Sequence, residues 1–491
     1  MIYHSTRNKQ ETADSRQAVL KGLCGDGGLF VSDALGERKL DPEELLTLSY
    51  QELALRVFSL LLDDYTEEEL SDAIEKAYGT TFSKNEVTPV TKIGDDWLLE
   101  LYHGPTSAFK DVALCMLPQL MSKALSGSGK KIMIITATSG DTGKAALSGF
   151  QDVENIGITV FYPDGKVSDI QKLQMASQEG RNVAVCAIRG NFDDAQSAVK
   201  EIFASEIGAE LEKRNIALSS ANSINIGRLI PQIVYYFEAY KALRKNGTIQ
   251  AGQEIDFCVP TGNFGDVLAG YYAKLLGLPV HRLIVASNAN NVLTDFIMTG
   301  VYDRNRPFHK TISPSMDILI SSNLERMLYY LSGKDADYIA SLMRSLKETG
   351  RYEVSGELLS KIQEIFSAGC ADDAETEAAI RKAYETDGRL IDPHTAVGYK
   401  VLSERRTEGV PAVLLSTASP YKFCRDVYES LFGAANTGAD GFAYMRMLSE
   451  KTGVEPPEPL RELQGKPVLH RDVIDIADMK QYVLNAALEK L

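Results

Sequence analysis

From Trp97 onward the chain alternates short apolar runs with amphipathic stretches, and few architectures accept that alternation. The apolar runs are Trp97–Leu101, Lys131–Thr136, Ile156–Tyr162, Val183–Ile188, Ile255–Val259, Leu283–Ala286 and Ala412–Leu415. Helical stretches such as Ser168–Ser177 and Asp193–Ala204 lie between them. Strand, loop, helix, strand at these lengths predicts an α/β fold of parallel sheets covered by helices. Ligands of such sheets sit at the carboxyl ends of the strands. Glycine- and hydroxyl-rich words at Ser139, Thr261 and Ser416 fall there, each just after a run and just before a helix.

At 491 residues the chain exceeds one hydrophobic core, so two or three domains are expected. Residues 1–92 read as a mainly helical module, 93–220 as a smaller α/β lobe, and 221–491 as a larger α/β lobe. A helical insertion around 321–385 interrupts the last, and its reading is packing. In the first module Asp41-Pro42-Glu43-Glu44 reads as a helix start, with Asp as cap and acids at the positive dipole end. Ser49 with Glu52, and Thr66 with Glu69, have capping-box spacing, and Gly79 closes the second helix.

Net charge is −15, which argues against nucleic acid or an anionic membrane as partner. An anionic ligand must then be held by local donors against the global field. The cysteines, Cys24, Cys115, Cys186, Cys258, Cys370 and Cys424, show no metal or redox spacing and read as reduced thiols in the cytoplasm. No signal core and no apolar run of membrane-spanning length is seen. No metal site is expected.

His103-Gly104-Pro105-Thr106-Ser107-Ala108-Phe109-Lys110-Asp111 ends on a lysine with apolar neighbours. An apolar setting lowers a lysine's pKa and suits imine chemistry; a surface lysine is the plain alternative. Asp111 has the position of a helix cap. Thr261-Gly262-Asn263-Phe264-Gly265-Asp266 opens a helix, where glycines let backbone amides turn inward as a phosphate cup. An ordinary strand-to-helix turn fits equally, and Asp266 reads as a cap beside such a cup. Thr138 to Lys144 fails the nucleotide-loop pattern at Thr138 and Ala145 and leaves a loop suited to an anion or to plain capping. Ser223-Ile224-Asn225-Ile226-Gly227-Arg228 offers an arginine fork, or a helix-surface arginine. Ser416-Thr417-Ala418 offers neutral hydroxyls, or a cap. His394 in Asp392-Pro393-His394 reads as structural, and His103 as either a loop residue or a gate over the site. A lysine amine, an anion cradle and a neutral hydroxyl facing a ring nitrogen are what pyridoxal phosphate needs.

Taken together, these words resemble threonine synthase, a fold-type II pyridoxal-phosphate family of the tryptophan synthase β-like kind. His103–Asp111 is similar to its lysine motif and Gly262–Asp266 to its phosphate loop. Ser223–Arg228, Asp392–Ala396, Tyr3–Arg7 and Asp26–Phe30 are similar to further family segments. The resemblance implies a lyase acting on phosphates that converts O-phospho-L-homoserine and water into L-threonine and phosphate, the last step of threonine biosynthesis. By position, Lys110 would bond covalently to the cofactor and move protons. Gly262, Asn263, Phe264, Gly265 and Asp266 would hold its phosphate, Thr417 would face the ring nitrogen, and Asp141 would lie beside the ring hydroxyl. Ser139, Thr142, Asn225 and Arg228 would meet the substrate phosphate, and a monomer is expected. The rival on the same scaffold is a phospholyase giving 2-oxobutyrate. A non-catalytic pyridoxal-phosphate-binding homologue is the rival from another class.

Overall fold

The computed structural model describes residues 1–82, 86–138, 140–435 and 438–491. Two sheets organise the chain. The five-stranded sheet is parallel throughout, with spatial order Asp472–Asp475, Val183–Arg189, Ile156–Pro163, Lys131–Ala137, Ile216–Ser219. The six-stranded sheet runs Phe366–Cys370, Val280–Ser287, Ile255–Pro260, Ala412–Ser416, Asp96–Glu100, Val90–Ile93, and its last pair alone is antiparallel. Their inner strands are buried on both faces, which is why they read as unbroken apolar runs.

The apolar runs of the sequence are all strands, within a few residues at their ends. Strand pairing differs from the expected grouping at two places. Asp96–Glu100, which precedes the lysine motif, is hydrogen-bonded into the six-stranded sheet beside Ala412–Ser416. Asp472–Asp475 returns to the edge of the five-stranded sheet, and helix Met479–Lys490 packs on that sheet's face. The stretch 321–385 is helical apart from two strands, Arg351–Glu353 and Phe366–Cys370. The second of these pairs with Val280–Ser287 at a sheet edge.

The first module holds helices Ser15–Lys21, Tyr50–Leu61 and Glu67–Tyr78 and also a small antiparallel sheet of Thr12–Ala13, Tyr3–Ser5 and Phe30–Val31. Both capping boxes form. Asp41 does not start a helix: Asp41 to Leu46 makes successive four-residue turns, with the Asp41 carboxylate receiving the Glu43 amide. The module is clamped to helix Leu324–Leu331. There Glu325 accepts Thr6 Oγ1 at 2.5 Å and both Arg7 Nε (2.8 Å) and Arg7 Nη2 (2.7 Å).

Helix Ile226–Lys245 is buried along most of its length and packs against Tyr50–Leu61, Lys110–Leu114 and Gly265–Leu275. It thereby joins the module to the helices that start at the lysine and at the glycine loop. The short helix Lys110–Leu114 is pressed against helix Asp141–Phe150 so closely that a Cβ on Gly149 would lie 2.0 Å from the Leu114 carbonyl oxygen.

Gly149→Ala should therefore destabilise the protein by roughly 1–3 kcal/mol through overpacking against a backbone that cannot yield. Gly356→Ala, at the open first turn of helix Gly356–Ile365 with nothing within 4 Å, should change stability by under about 1 kcal/mol. Chemical denaturation midpoints of the two variants check the contrast.

Candidate functional site

The loop before Lys110 is shaped by the residue after it. Asp111 Oδ2 accepts the Thr106 amide at 2.8 Å and Oδ1 accepts Thr106 Oγ1 at 2.5 Å. Its carboxylate thus closes the loop and does not cap a helix beginning at Val112; the helix begins at Lys110. Gly104 must be glycine, because a Cβ there would meet Asp111 Cβ at 2.5 Å. The turn is completed by Ser107 at φ 58°. The far side of the loop is stitched to the 416–420 segment. The Phe109 amide donates to Thr417 O at 2.8 Å, the Ser419 amide donates to Ser107 O at 3.0 Å, and Ala108 pairs with Ala418. Backbone bonds therefore place Lys110 relative to Thr417.

Lys110 Nζ lies over the Phe109 ring, 4.5 Å from its centroid, and 3.9 Å from Asp141 Oδ2. Burial pushes its ammonium toward the neutral amine; Asp141 opposes this, and Arg228 and Lys422 add to it. Asp141 begins helix Asp141–Phe150. Its Oδ1 accepts Lys422 Nζ and Gln171 Nε2, each at 2.8 Å. Burial alone would raise its pKa, but Lys422 and Lys110 outweigh that and hold the carboxylate well below its ordinary range. Gly140 precedes it at φ 145°, and a side chain there would run into Gln171. Thr138 Oγ1 accepts the Gly140 and Gly143 amides, both at 2.9 Å, so this threonine braces the turn. Thr142 is half-buried in the first helical turn. Ser139 lies outside the described residues.

After Ile255–Pro260 the chain turns through Phe264, which has φ 61° and precedes helix Gly265–Leu275. The turn is fastened from outside. Ser321 Oγ donates to Gly262 O at 2.7 Å, and the Asn323 amide and Nδ2 both donate to Asn263 O at 3.1 Å. Carbonyls thus face the 321–323 segment. Among the described residues, the amides of Gly262, Asn263, Phe264 and Gly265 meet no acceptor within the protein. Four unpaired N–H groups at a helix N-terminus form an anion cup. Asp266 stays out of it: Oδ1 accepts Thr261 Oγ1 at 2.5 Å and the Val267 amide at 2.9 Å, and burial raises its pKa.

Arg228 is buried, and its Nη1 donates to Ala221 O at 2.8 Å. Its Nε is buried with no partner among the described residues, and burial lowers the group's pKa to about 10. A guanidinium removed from water and facing no carboxylate is matched to an anion the protein itself does not supply. Asn225 is occupied otherwise. Its Oδ1 caps the Gly227 amide at 2.8 Å and its Nδ2 donates to Val19 O and Ser220 O, so its side chain shapes the loop and has no group left for an anion.

Asp392 braces the strand end at 416. Thr395 Oγ1 donates to Asp392, lies 3.2 Å from Ser416 Oγ and accepts the Thr417 amide at 3.3 Å. His394 Nε2 accepts the Ser315 amide at 3.1 Å, so its ring proton sits on Nδ1, 2.8 Å from Asp392 Oδ1. Ser315 in turn abuts Gly262, whose Cβ would come within 2.9 Å of the Ser315 carbonyl. His394 is thus a structural link between the two loops. His103 is held by Glu100 at 2.8 Å.

Sequence reasoning passed over Lys422, Gln171 and Arg326. Lys422 sits two residues beyond the Ser416–Pro420 word, and a longer word would have included it. Arg326 is fully buried and bonds Phe30 O, Asn323 Oδ1 and Ile224 O, joining the first module, the cup's fastener and the Arg228 segment. Nothing in the local pattern of a helix in a leucine-rich stretch marks it.

Models of known families match the chain in three segments: threonine synthase N terminus over residues 2–78, pyridoxal-phosphate dependent enzyme over 93–415, and threonine synthase, C-terminal, over 395–483. Threonine synthase of Pseudomonas aeruginosa is 39% identical over 444 residues, 89% of this chain and 91% of that protein. The crystal structure of pyridoxal-phosphate-bound threonine synthase from Brucella melitensis has a TM-score of 0.87 at 37% identity, with 99% of each chain covered. That of threonine synthase from yeast also has a TM-score of 0.87, at 33% identity, covering 100% of this chain and 98% of the other.

Asp392→Ala should destabilise the protein by about 2 kcal/mol, the upper part of the range for a lost helix cap, because Thr395 and His394 lose their acceptor together. It should also weaken retention of bound cofactor, since both loops lean on this residue. Denaturation curves and dialysis against cofactor-free buffer read the two effects.

Proposed function

The chain belongs to the threonine synthase family of pyridoxal-phosphate-dependent lyases, and on that premise we propose that it converts O-phospho-L-homoserine and water into L-threonine and phosphate. The observation that carries this reading is the meeting of a buried lysine amine with two separate anion sites. One is the cup of unpaired amides at 262–265, and the other is Arg228, whose buried Nε has no partner among the described residues. A cofactor and a substrate that each bear a phosphate require two such sites. The residues fit the cofactor: Lys110 Nζ makes no hydrogen bond among the described residues, and the cup lacks only an acceptor.

When bound, pyridoxal phosphate supplies an electron sink for carbanions at the substrate's Cα and Cβ. The neutral Lys110 amine takes and returns the proton at Cα, which its buried setting favours. The amides of Gly262, Asn263, Phe264 and Gly265 hold the cofactor phosphate, with Asp266 fixing the turn. Thr417 would present a neutral group to the ring nitrogen, and Asp141 would serve the ring hydroxyl. Arg228 holds the substrate phosphate and later the leaving phosphate, and Thr142 and Ser139 are assigned to the same task. The enzyme acts as a cytoplasmic monomer in this reading; five of the six cysteines are buried thiols, which suits a reducing compartment.

Incubation with O-phospho-L-homoserine should yield threonine and phosphate, read by mass; 2-oxobutyrate as the product would replace synthase with phospholyase. Lys110→Ala should abolish turnover and leave the denaturation midpoint nearly unchanged. Arg228→Met should fold with at least the parent's stability, because it removes a half-satisfied buried cation. It should nonetheless raise KM by about tenfold or more and lose the thermal stabilisation that millimolar inorganic phosphate gives the parent.

A further inference from the structure

Lys422 is a buried lysine in the short helical turn Pro420–Phe423 after the strand Ala412–Ser416. Its ammonium donates to Asp141 Oδ1 and to Thr106 O, each at 2.8 Å. One cation thus ties the six-stranded sheet to the lysine loop and to the helix that opens the opposite lobe. Asp141 is therefore already paired, and further satisfied by Gln171, at the oxygen that turns away from Lys110. Its other oxygen stands 3.9 Å from Lys110 Nζ, beyond hydrogen-bond reach.

We propose that Lys422 is a positioning residue for the reaction: it engages the Asp141 carboxylate and so leaves the Lys110 amine outside hydrogen-bond reach of that carboxylate, free for cofactor and substrate. The inference rests on the reading of Lys110 as the cofactor lysine. The charged groups facing Lys110 are Asp141, Arg228, Lys422 and Asp266. Lys422 is itself faced by Asp111 and Lys144 as well as Asp141. Of these, Asp141 alone is an anion close to both amines. Without Lys422, Asp141 has Lys110 as its nearest cation, with Gln171 still donating to it, and one repelling cation is gone. Both changes act in one direction. They favour the protonated Lys110, so the neutral amine that condenses with an aldehyde, releasing water, appears only at higher pH.

The test follows the apo-protein as it couples to added pyridoxal phosphate across a pH series, with borohydride trapping and peptide mass to locate the tag. Alongside it, kcat/KM is measured against pH. In Lys422→Met the acid limb of both profiles should move up by about one unit or more, an approximately tenfold loss at the pH of the parent's limb. Lys422→Arg should keep the parent's limb. Lys422→Met with Asp141→Asn leaves no buried carboxylate unpaired, and its limb should fall at or below the parent's; this variant keeps the question open to measurement where the single one does not fold. A merely structural lysine would lower activity equally at every pH. Coincident limbs in Lys422→Met and the parent, with the tag still on Lys110, overturn the proposal. So does an upward-shifted limb in the double variant. A tag on another residue overturns the assignment of Lys110 first, and this inference with it.

Discussion

A carboxylate taken out of water needs a cation, and Asp141 has two within reach, one from each of two distant parts of the chain. The one it bonds is Lys422. That pair joins the two sheets at their ligand-bearing ends, and a buried pair is held in place strongly once formed, since separating it strands a charge. Around it stand cations with no such partner. Lys110 has Asp141 at a distance, Arg228 has a carbonyl and an empty Nε, and Arg326 has neutral acceptors. The chain carries a net charge of −15, yet at its centre the unmet demand is for anions. Local donors answer the global repulsion, and two phosphate-bearing molecules complete the arrangement.

The fastening of the anion cup shows how precision is obtained from loops. Carbonyls of Gly262 and Asn263 are tied down by Ser321 and Asn323, leaving the opposite, amide side of the turn for a ligand. Asn323 is gripped by Arg326, which also holds Phe30 and Ile224. The N-terminal module thereby supports the centre at one remove. Glu325 on the same helix repeats the attachment through Thr6 and Arg7.

What could be read without coordinates follows from range. Strands buried on both faces announce themselves as apolar runs, and capping boxes act within four residues, so both were legible. So were the lysine word and the glycine turn, whose conformations are local: Phe264 and Ser107 occupy left-handed backbone inside the very words that drew notice. Contacts across hundreds of positions leave no such trace. Lys422 meets Thr106 at a separation of 316, and Arg326 meets Phe30 at 296. Asn225 and Asp111 were legible as residues and misread as to their task, because a polar side chain does not reveal which of several nearby amides it will serve. Phe366–Cys370 was hidden by its small residues inside a helical stretch, and Asp472–Asp475 by the aspartates at both its ends.

The return of Asp472–Asp475 to the five-stranded sheet bears on how the molecule is made. Its neighbour Val183–Arg189 leaves the ribosome first, and the residues that pair, Cys186 and Asp472, are 286 positions apart. At bacterial-to-eukaryotic synthesis rates that interval is roughly 15 to 60 s. Throughout it an apolar strand presents a bare row of peptide groups, the kind of border that recruits other chains. That border is therefore open during translation, long before any ligand can steady the finished protein.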